Sequence, residues 1–237
     1  MTWIRSVERQ KYRLLLVIIV GSLVTQPFVR DYALGRVAHE MMMALAMLSM
    51  FIIFQRKHER YWAIVLAIPT TFGNLGKYLL PDSMDMWRVV IYLLFSVTFL
   101  CFVVWVILRT LFQQQKVSTD HLIGAFCGYL LAGIAWSSMY LLVEECSPGS
   151  YDISPNIAWE MDNPDSRRSL FNYFSFTTLT TLGFGDVVPK HPLACSLAWL
   201  EAAFGQFYVA VMVSQLVGLK LEGQSQRAER PPSEPFA

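Results

Sequence analysis

Between Phe174 and Pro189 the chain reads FSFTTLTTLGFGDVVP. Four threonines, Thr177, Thr178, Thr180 and Thr181, with Ser175 beside them, precede two glycines split by one aromatic, and Asp186 follows. These residue types suit the binding of a cation stripped of its water. That task needs a ring of oxygens. Backbone carbonyls supply them if successive residues turn their C=O groups the same way, and glycine reaches backbone angles closed to other residues. Gly183 and Gly185, alternating with Leu182 and Phe184, meet this requirement. The Thr181 hydroxyl adds one more oxygen. Leu182 and Phe184 are expected to point away and pack behind the loop.

Such a loop must be held by the elements around it, and the composition says what these are. The 237 residues are 54% hydrophobic and 16% charged, whereas a soluble domain is about 45–50% apolar and about 25% charged. The chain therefore reads as an all-α integral membrane protein. A net charge of +1 offers no bulk attraction for nucleic acid. The four histidines (His39, His58, His121, His191) are scattered and no nucleophile–base pairing shows, so no enzyme and no cofactor is expected. Four cysteines without C-x-x-C spacing give no metal or redox motif. Cys101 and Cys127 lie in apolar runs as packing residues. Cys146 and Cys195 flank the loop; a disulfide between them or between chains is one option, free thiols the other.

A bilayer core of about 30 Å needs about 20 apolar residues in a helix. Six runs qualify as spans: 14–29, 37–54, 61–80, 89–108, 121–143 and 192–219. None alternates with period 2, which argues against a membrane barrel. Arg5, Arg9, Lys11 and Arg13 precede the first run, and LVTQPFV offers no small-x-small cleavage site. That run is read as an uncleaved helix. With six spans and an inner N-terminus, twelve Lys/Arg fall inside and seven outside, so both termini are expected in the cytoplasm of a multi-pass cell-membrane protein. Tyr12, Tyr61, Trp62 and Trp87 sit at span ends, where aromatic rings prefer the interface. The tail from Leu221 to Ala237 is polar and proline-containing and reads as disordered and too short for a ligand-binding domain. The expected domains are an N-terminal four-helix membrane region, 1–110, a pore domain, 111–220, and a short cytoplasmic tail, 221–237. The pore domain divides into an outer helix 121–143, an extracellular loop 144–168, a pore helix and filter 169–189, and an inner helix 192–219.

Between the fifth and sixth runs, Ser169–Thr181 is long enough for a helix of roughly 18 Å, about half a membrane. Ser166 or Ser169 would cap its start. Non-helical backbone following at membrane depth is tolerated only when buried in protein or lining a watery path. The helix would turn its partially negative C-terminal end toward the bilayer middle, where it favours a cation.

On these residues the chain resembles potassium channels. TTLTTLGFGD is similar to their pore loop, whose filters are built from T-V-G-Y-G, four per pore. The half-helix before it, the spans on both sides and the aspartate after it agree. Leu182 stands for the usual valine or isoleucine, and Phe184 for the usual tyrosine, losing a hydroxyl that could brace the filter. The plan resembles the six-span, single-pore-loop bacterial channels of the ion transport 2 type. The resemblance implies K+ ligation at Thr181, Leu182, Gly183 and Phe184, with Gly185 completing the filter and Asp186, Thr177 and Thr178 supporting it. One loop per chain implies a homotetramer in membrane lipid. Gly205, twenty residues after Gly185, falls where such channels carry a gating-hinge glycine; close helix packing is the plainer reading. Val213 and Val217 share a face below it and are assigned to the inner mouth.

Other features bear on the class. Glu201 is a carboxylate inside the sixth run; it either bonds behind the pore helix or meets water near the outer surface. Gly124, Gly128 and Ala132 form a small-residue face for close helix approach. The outer loop carries Glu144, Glu145, Asp152, Glu160, Asp162 and Asp165 against Arg167 and Arg168, either an electrostatic funnel or ordinary loop charge. The fourth run has no arginine between Arg88 and Arg109. One charge crossing 100 mV is worth about 2.3 kcal/mol, so a sensor needs several; little arginine-based voltage dependence is expected. The reading is a K+-selective tetrameric channel conducting passively. A weakly selective monovalent cation channel is the alternative, and a secondary cation transporter a more distant one. A regulatory partner is among the candidates for opening it.

Overall fold

The computed structural model describes residues 2–29, 35, 41–42, 45–46, 56–79, 86–113 and 119–228. Long apolar stretches without interior charge can satisfy their backbone in a bilayer only as helices, and helices dominate. Helix α1 covers Thr2–Val29, α2 Lys57–Leu79, α3 Met86–Gln113, α4 Thr119–Cys146, α5 Pro164–Leu179 and α6 Pro192–Ala228. Three described segments are long and apolar enough to cross a membrane: Met86–Thr110, Leu122–Cys146 and Pro192–Gln215; Tyr12–Phe28 is a shorter apolar helix. The second expected run, 37–54, falls largely outside the described residues, and α2 carries the third as far as Leu79. Hydroxyls inside these helices fold back on their own backbone. Thr98, Thr110 and Ser138 donate to the carbonyls four residues earlier at 2.7–2.9 Å, which satisfies them without water.

Helix α4 is the central post. One core joins Leu15 and Ile19 of α1, Phe99, Val103 and Ile107 of α3, and Cys127 and Leu131 of α4. The small-residue face of α4 is shared out: Gly124 faces the Tyr12 ring of α1, while Gly128 faces Ile107 of α3 and the Tyr208 hydroxyl of α6. Tyr208 in turn donates to the Ala125 carbonyl at 2.6 Å.

Past α4 the chain turns tightly. The buried Glu144 carboxylate accepts from the backbone N–H groups of Gly149 and Ser150 at 2.9 and 3.0 Å. Strand β1, Tyr151–Ile153, then pairs antiparallel with β2, Val187–Pro189, in the register Tyr151↔Pro189 and Ile153↔Val187. Ser154 N donates to the Asp186 carbonyl at 2.8 Å, so the ladder reaches the end of the glycine loop. Beneath it Tyr140, Tyr151, Phe171 and Phe174 form an aromatic cluster.

Helix α5 begins five residues before the expected Ser169. Asn163 is its N-cap, its side chain accepting from Ser166 N at 2.8 Å, and Pro164 opens the first turn. Pro fits there because its missing N–H would have had no partner, and Asp165 in that turn suits the helix dipole. Ser166 is therefore capped rather than capping. Helix α6 also outruns the expected 192–219: it continues to Ala228, so residues 221–228 are helical rather than disordered, and 229–237 lie outside the described residues. Cys146 and Cys195 are not bonded to each other within the chain. Replacing Asn163 by Ala should lower stability by about 1 kcal/mol and Asn163→Asp far less, read as the thermal unfolding midpoint in detergent.

Candidate functional site

Helix α5 sits between α4 and α6, and its last turn is closed by its own backbone. Thr181 N donates to Thr178 O at 2.9 Å and Leu182 N to Thr177 O at 2.8 Å, with Gly183 N adding a third bond to Thr177 O at 3.2 Å. This is the Schellman pattern, which places a left-handed residue just past the helix and glycine is usual there. Here it is Thr181, at φ 60°. A β-branched residue in that region is strained by about 1–3 kcal/mol, and such strain clusters at functional sites. Gly183 at φ 52° and Gly185 at φ 77° repeat the left-handed turn, with Leu182 and Phe184 between them at negative φ. Alternating handedness gathers successive N–H groups on one side of a chain and leaves the carbonyls to the other. A Cβ added at Gly183 or Gly185 would meet nothing within 4 Å. The backbone angle, not space, asks for glycine at both.

Side chains around this loop fix it. Tyr173 of α5 donates its hydroxyl to Asp186 Oδ2 at 2.6 Å, and its ring lies parallel to Phe184 with centroids 6.3 Å apart. The hydroxyl that Phe184 lacks is thus supplied from the helix. Asp186 Oδ1 accepts from Val187 N at 3.0 Å. Gln206 of α6 donates to the Thr181 hydroxyl at 3.2 Å. Thr177 is buried and donates to Phe174 O at 2.9 Å, while Thr178 contributes its carbonyl to the helix end. Leu182 and Phe184 are 64% and 66% exposed, so within one chain the packing expected behind the loop is carried by the Tyr173 ring alone at Phe184.

The residue preceding Gln206 on α6, Gly205, touches the end of α5. A Cβ there would stand 2.0 Å from the Leu179 carbonyl oxygen, closer than any real contact. That oxygen also accepts from the Tyr129 hydroxyl of α4 at 3.3 Å. Helix α6 passes this point without interruption. Gly205 therefore has a packing duty that the expected hinge did not include. Val213 and Val217 both lie exposed on α6 farther along.

Polar contacts tie α5 to the N-terminal helices as well. Asn172 Nδ2 donates to Gln26 Oε1 of α1 at 2.8 Å, both buried. Arg168 donates to the Tyr92 hydroxyl of α3 at 2.7 Å and stacks over its ring. Glu201, fully buried, meets Tyr140 and Ser175 behind α5 rather than water. The outer acids are partly engaged: Glu144 caps its turn, Glu145 pairs with Arg167 at 2.6 Å and Asp152 with Lys190 at 3.0 Å. Tyr173, Gln206, Gln26 and Asn172 were not singled out from the sequence; a polar residue in an apolar run was the available signal for Gln206 and Gln26.

A short helix seated between two membrane-length helices, closed by a glycine loop of alternating handedness, defines a pore-loop membrane protein. Residues 151–219, from β1 through α5 and the loop into α6, match the family model described as an ion channel. The chain is 32% identical over 71 residues to the potassium channel protein kcv of Paramecium bursaria Chlorella virus 1, an alignment covering 28% of this chain and 71% of that one. The chain belongs to the potassium channel family with a pore-loop domain, and it is a channel rather than an enzyme.

Two variants test the geometry. Gly205→Ala should lower thermal stability by about 1–3 kcal/mol or more, because a methyl group cannot be fitted against a backbone carbonyl. Tyr173→Phe and Asp186→Asn should each weaken the loop, and a double-mutant cycle should return a coupling energy of about 0.5–3 kcal/mol in the same unfolding measurement. Additive effects would mean that the two side chains do not meet.

Proposed function

We propose that the chain conducts K+ passively across the cell membrane through a pore enclosed by four copies, with residues 181–185 as the selectivity filter. In this reading the carbonyls of Thr181, Leu182, Gly183 and Phe184 replace the water of the ion. Asp186, Thr177 and Thr178 support the filter, and Val213 and Val217 line the inner mouth. The observation that carries the reading is the alternation of left-handed turns at Thr181, Gly183 and Gly185, at the end of a helix held between two membrane-length helices.

Burial supports the four-copy assembly. The spans of α3 and α4 are 56% and 61% buried within one chain, but that of α6 is only 17% buried. Leu182 and Phe184 are mostly exposed beside it. Neighbouring copies would cover these surfaces while leaving one face of α6 to the ion path. The chain crosses the membrane six times with both termini cytoplasmic, α5 entering and returning from the outer side. Residues 1–110 form the membrane region that surrounds the pore domain, 111–220. The contact of Gly205 with Leu179 favours a seat for the filter over a hinge. With Arg88 and Arg109 at the two ends of α3, opening falls to a lipid, tension, a proton or a partner protein rather than to an arginine sensor.

The test is cation flux into liposomes holding the purified protein. K+ and Rb+ should pass and Na+ should not. Gly183→Ala should abolish the flux, since φ 52° strains any other residue. Equal Na+ and K+ flux would leave the weakly selective cation channel. A protein that is not tetrameric in detergent would sink the assembly.

A further inference from the structure

Behind the loop of residues 181–185, Glu201 of α6 lies fully buried with two hydroxyl oxygens against it. The Tyr140 hydroxyl of α4 contacts Oε2. Ser175 Oγ of α5 lies 2.5 Å from Oε1, and the same Ser175 Oγ lies 2.7 Å from the Gly133 carbonyl of α4. All three are hydrogen-bond contacts, and O–H···O bonds in this range need a hydrogen between the oxygens. The Gly133 carbonyl can only accept. Tyr140 and Ser175 have one hydrogen each, and an ionised carboxylate has none. Two hydrogens cannot serve three contacts. With Glu201 ionised, Ser175 must leave either the carboxylate or the Gly133 carbonyl facing it lone pair to lone pair.

We propose that Glu201 is a protonated, neutral acid that positions the filter helix by locking α5 to α4 and α6. Its own proton supplies the missing hydrogen. Glu201 Oε1–H donates to Ser175 Oγ, Ser175 donates to Gly133 O, and Tyr140 donates to Glu201 Oε2, so that each of the three contacts holds one hydrogen. The surroundings agree. Among the described residues no cation pairs with Glu201, and the other titratable side chains near it, Tyr129 of α4 and Tyr151 of β1, are neutral phenols. An unpaired buried carboxylate would be a large penalty in this place. The site of the lock is telling: Ser175 lies two residues before Thr177, whose carbonyl receives the first N–H groups of the glycine loop. Glu201 acts on the ion only through this helix and is a positioning residue.

The positioning role rests on the pore reading above, whereas the protonation state can be read whether or not the protein conducts. The first measurement is the infrared spectrum of the wild-type channel in lipid at neutral pH, against Glu201→Gln. We expect a protonated carboxylic-acid C=O band in the wild type that is lost in the variant; no such band would overturn the proposal. The second is K+ and Rb+ flux. Gln carries an N–H where the acid carries its O–H, so Glu201→Gln should match the wild type in flux and in exclusion of Na+, while Glu201→Leu should lose flux or admit Na+. Loss of flux in Glu201→Gln beside a conducting wild type would show that the charge is needed and overturn it. Wild-type flux and selectivity in Glu201→Leu would overturn the positioning role.

Discussion

The carbonyl of Leu179 points at a position of α6 that carries no side chain. Helix α5 ends in non-helical backbone, and such backbone survives at membrane depth only when protein encloses it. The Gly205 notch lets α6 approach to backbone contact, Tyr129 of α4 reaches the same oxygen, and Gln206 beside the notch holds Thr181. With α6 at this distance, the left-handed start of the loop at Thr181 is pinned between two helices. Were α6 moved outward by the width of a methyl group, the Gln206 bond and the packing of Leu179 with Tyr208 would open together.

Helix α5 is the node through which the rest of the chain meets the loop. Four of its residues make side-chain contacts to four other helices: Arg168 to α3, Asn172 to α1, and Ser175 and Leu179 to both α4 and α6. The N-terminal helices α1 and α3 contact α5 directly, and Asn172–Gln26 does so with both partners buried, where an unmatched amide would be costly. A displacement of α1 or α3 reaches the loop through α5 without passing along α6.

The helices and the loop were legible because their signals are local. Charge-free runs bounded by Arg88 and Arg109 mark α3, and G-F-G after a threonine cluster marks the loop. The start of α5 was misplaced because the apolar run begins later than the helix. Asn163 and Pro164 set the boundary through capping, and the polar turn Asp165–Arg168 belongs to the helix although it looks like loop. Gly205 was ambiguous in principle: a glycine in a helix weakens it and also admits a neighbour, and only the neighbour's position decides. Glu201 was ambiguous for the same reason, since Tyr140 and Ser175 come from other helices. The tail was read from composition, yet the helical hydrogen-bond ladder of α6 runs on through polar residues to Ala228. For the acids of the loop after α4, a count of charges could not see that Glu144 and Glu145 have partners within the chain.

The two-stranded ladder between β1 and β2 has a mechanical meaning. It ties residues on both sides of the loop's outer end, with Ser154 bound to Asp186 and Lys190 to Ser150. Because β1 follows a turn clamped by Glu144 and β2 runs into α6 within three residues, there is no slack between the two membrane-length helices on this side. The ladder behaves as a buckle: α4 and α6 cannot separate at the ends beside the loop without breaking it, while toward the start of α4 the two helices are joined, among the described residues, by the single Tyr208–Ala125 hydrogen bond.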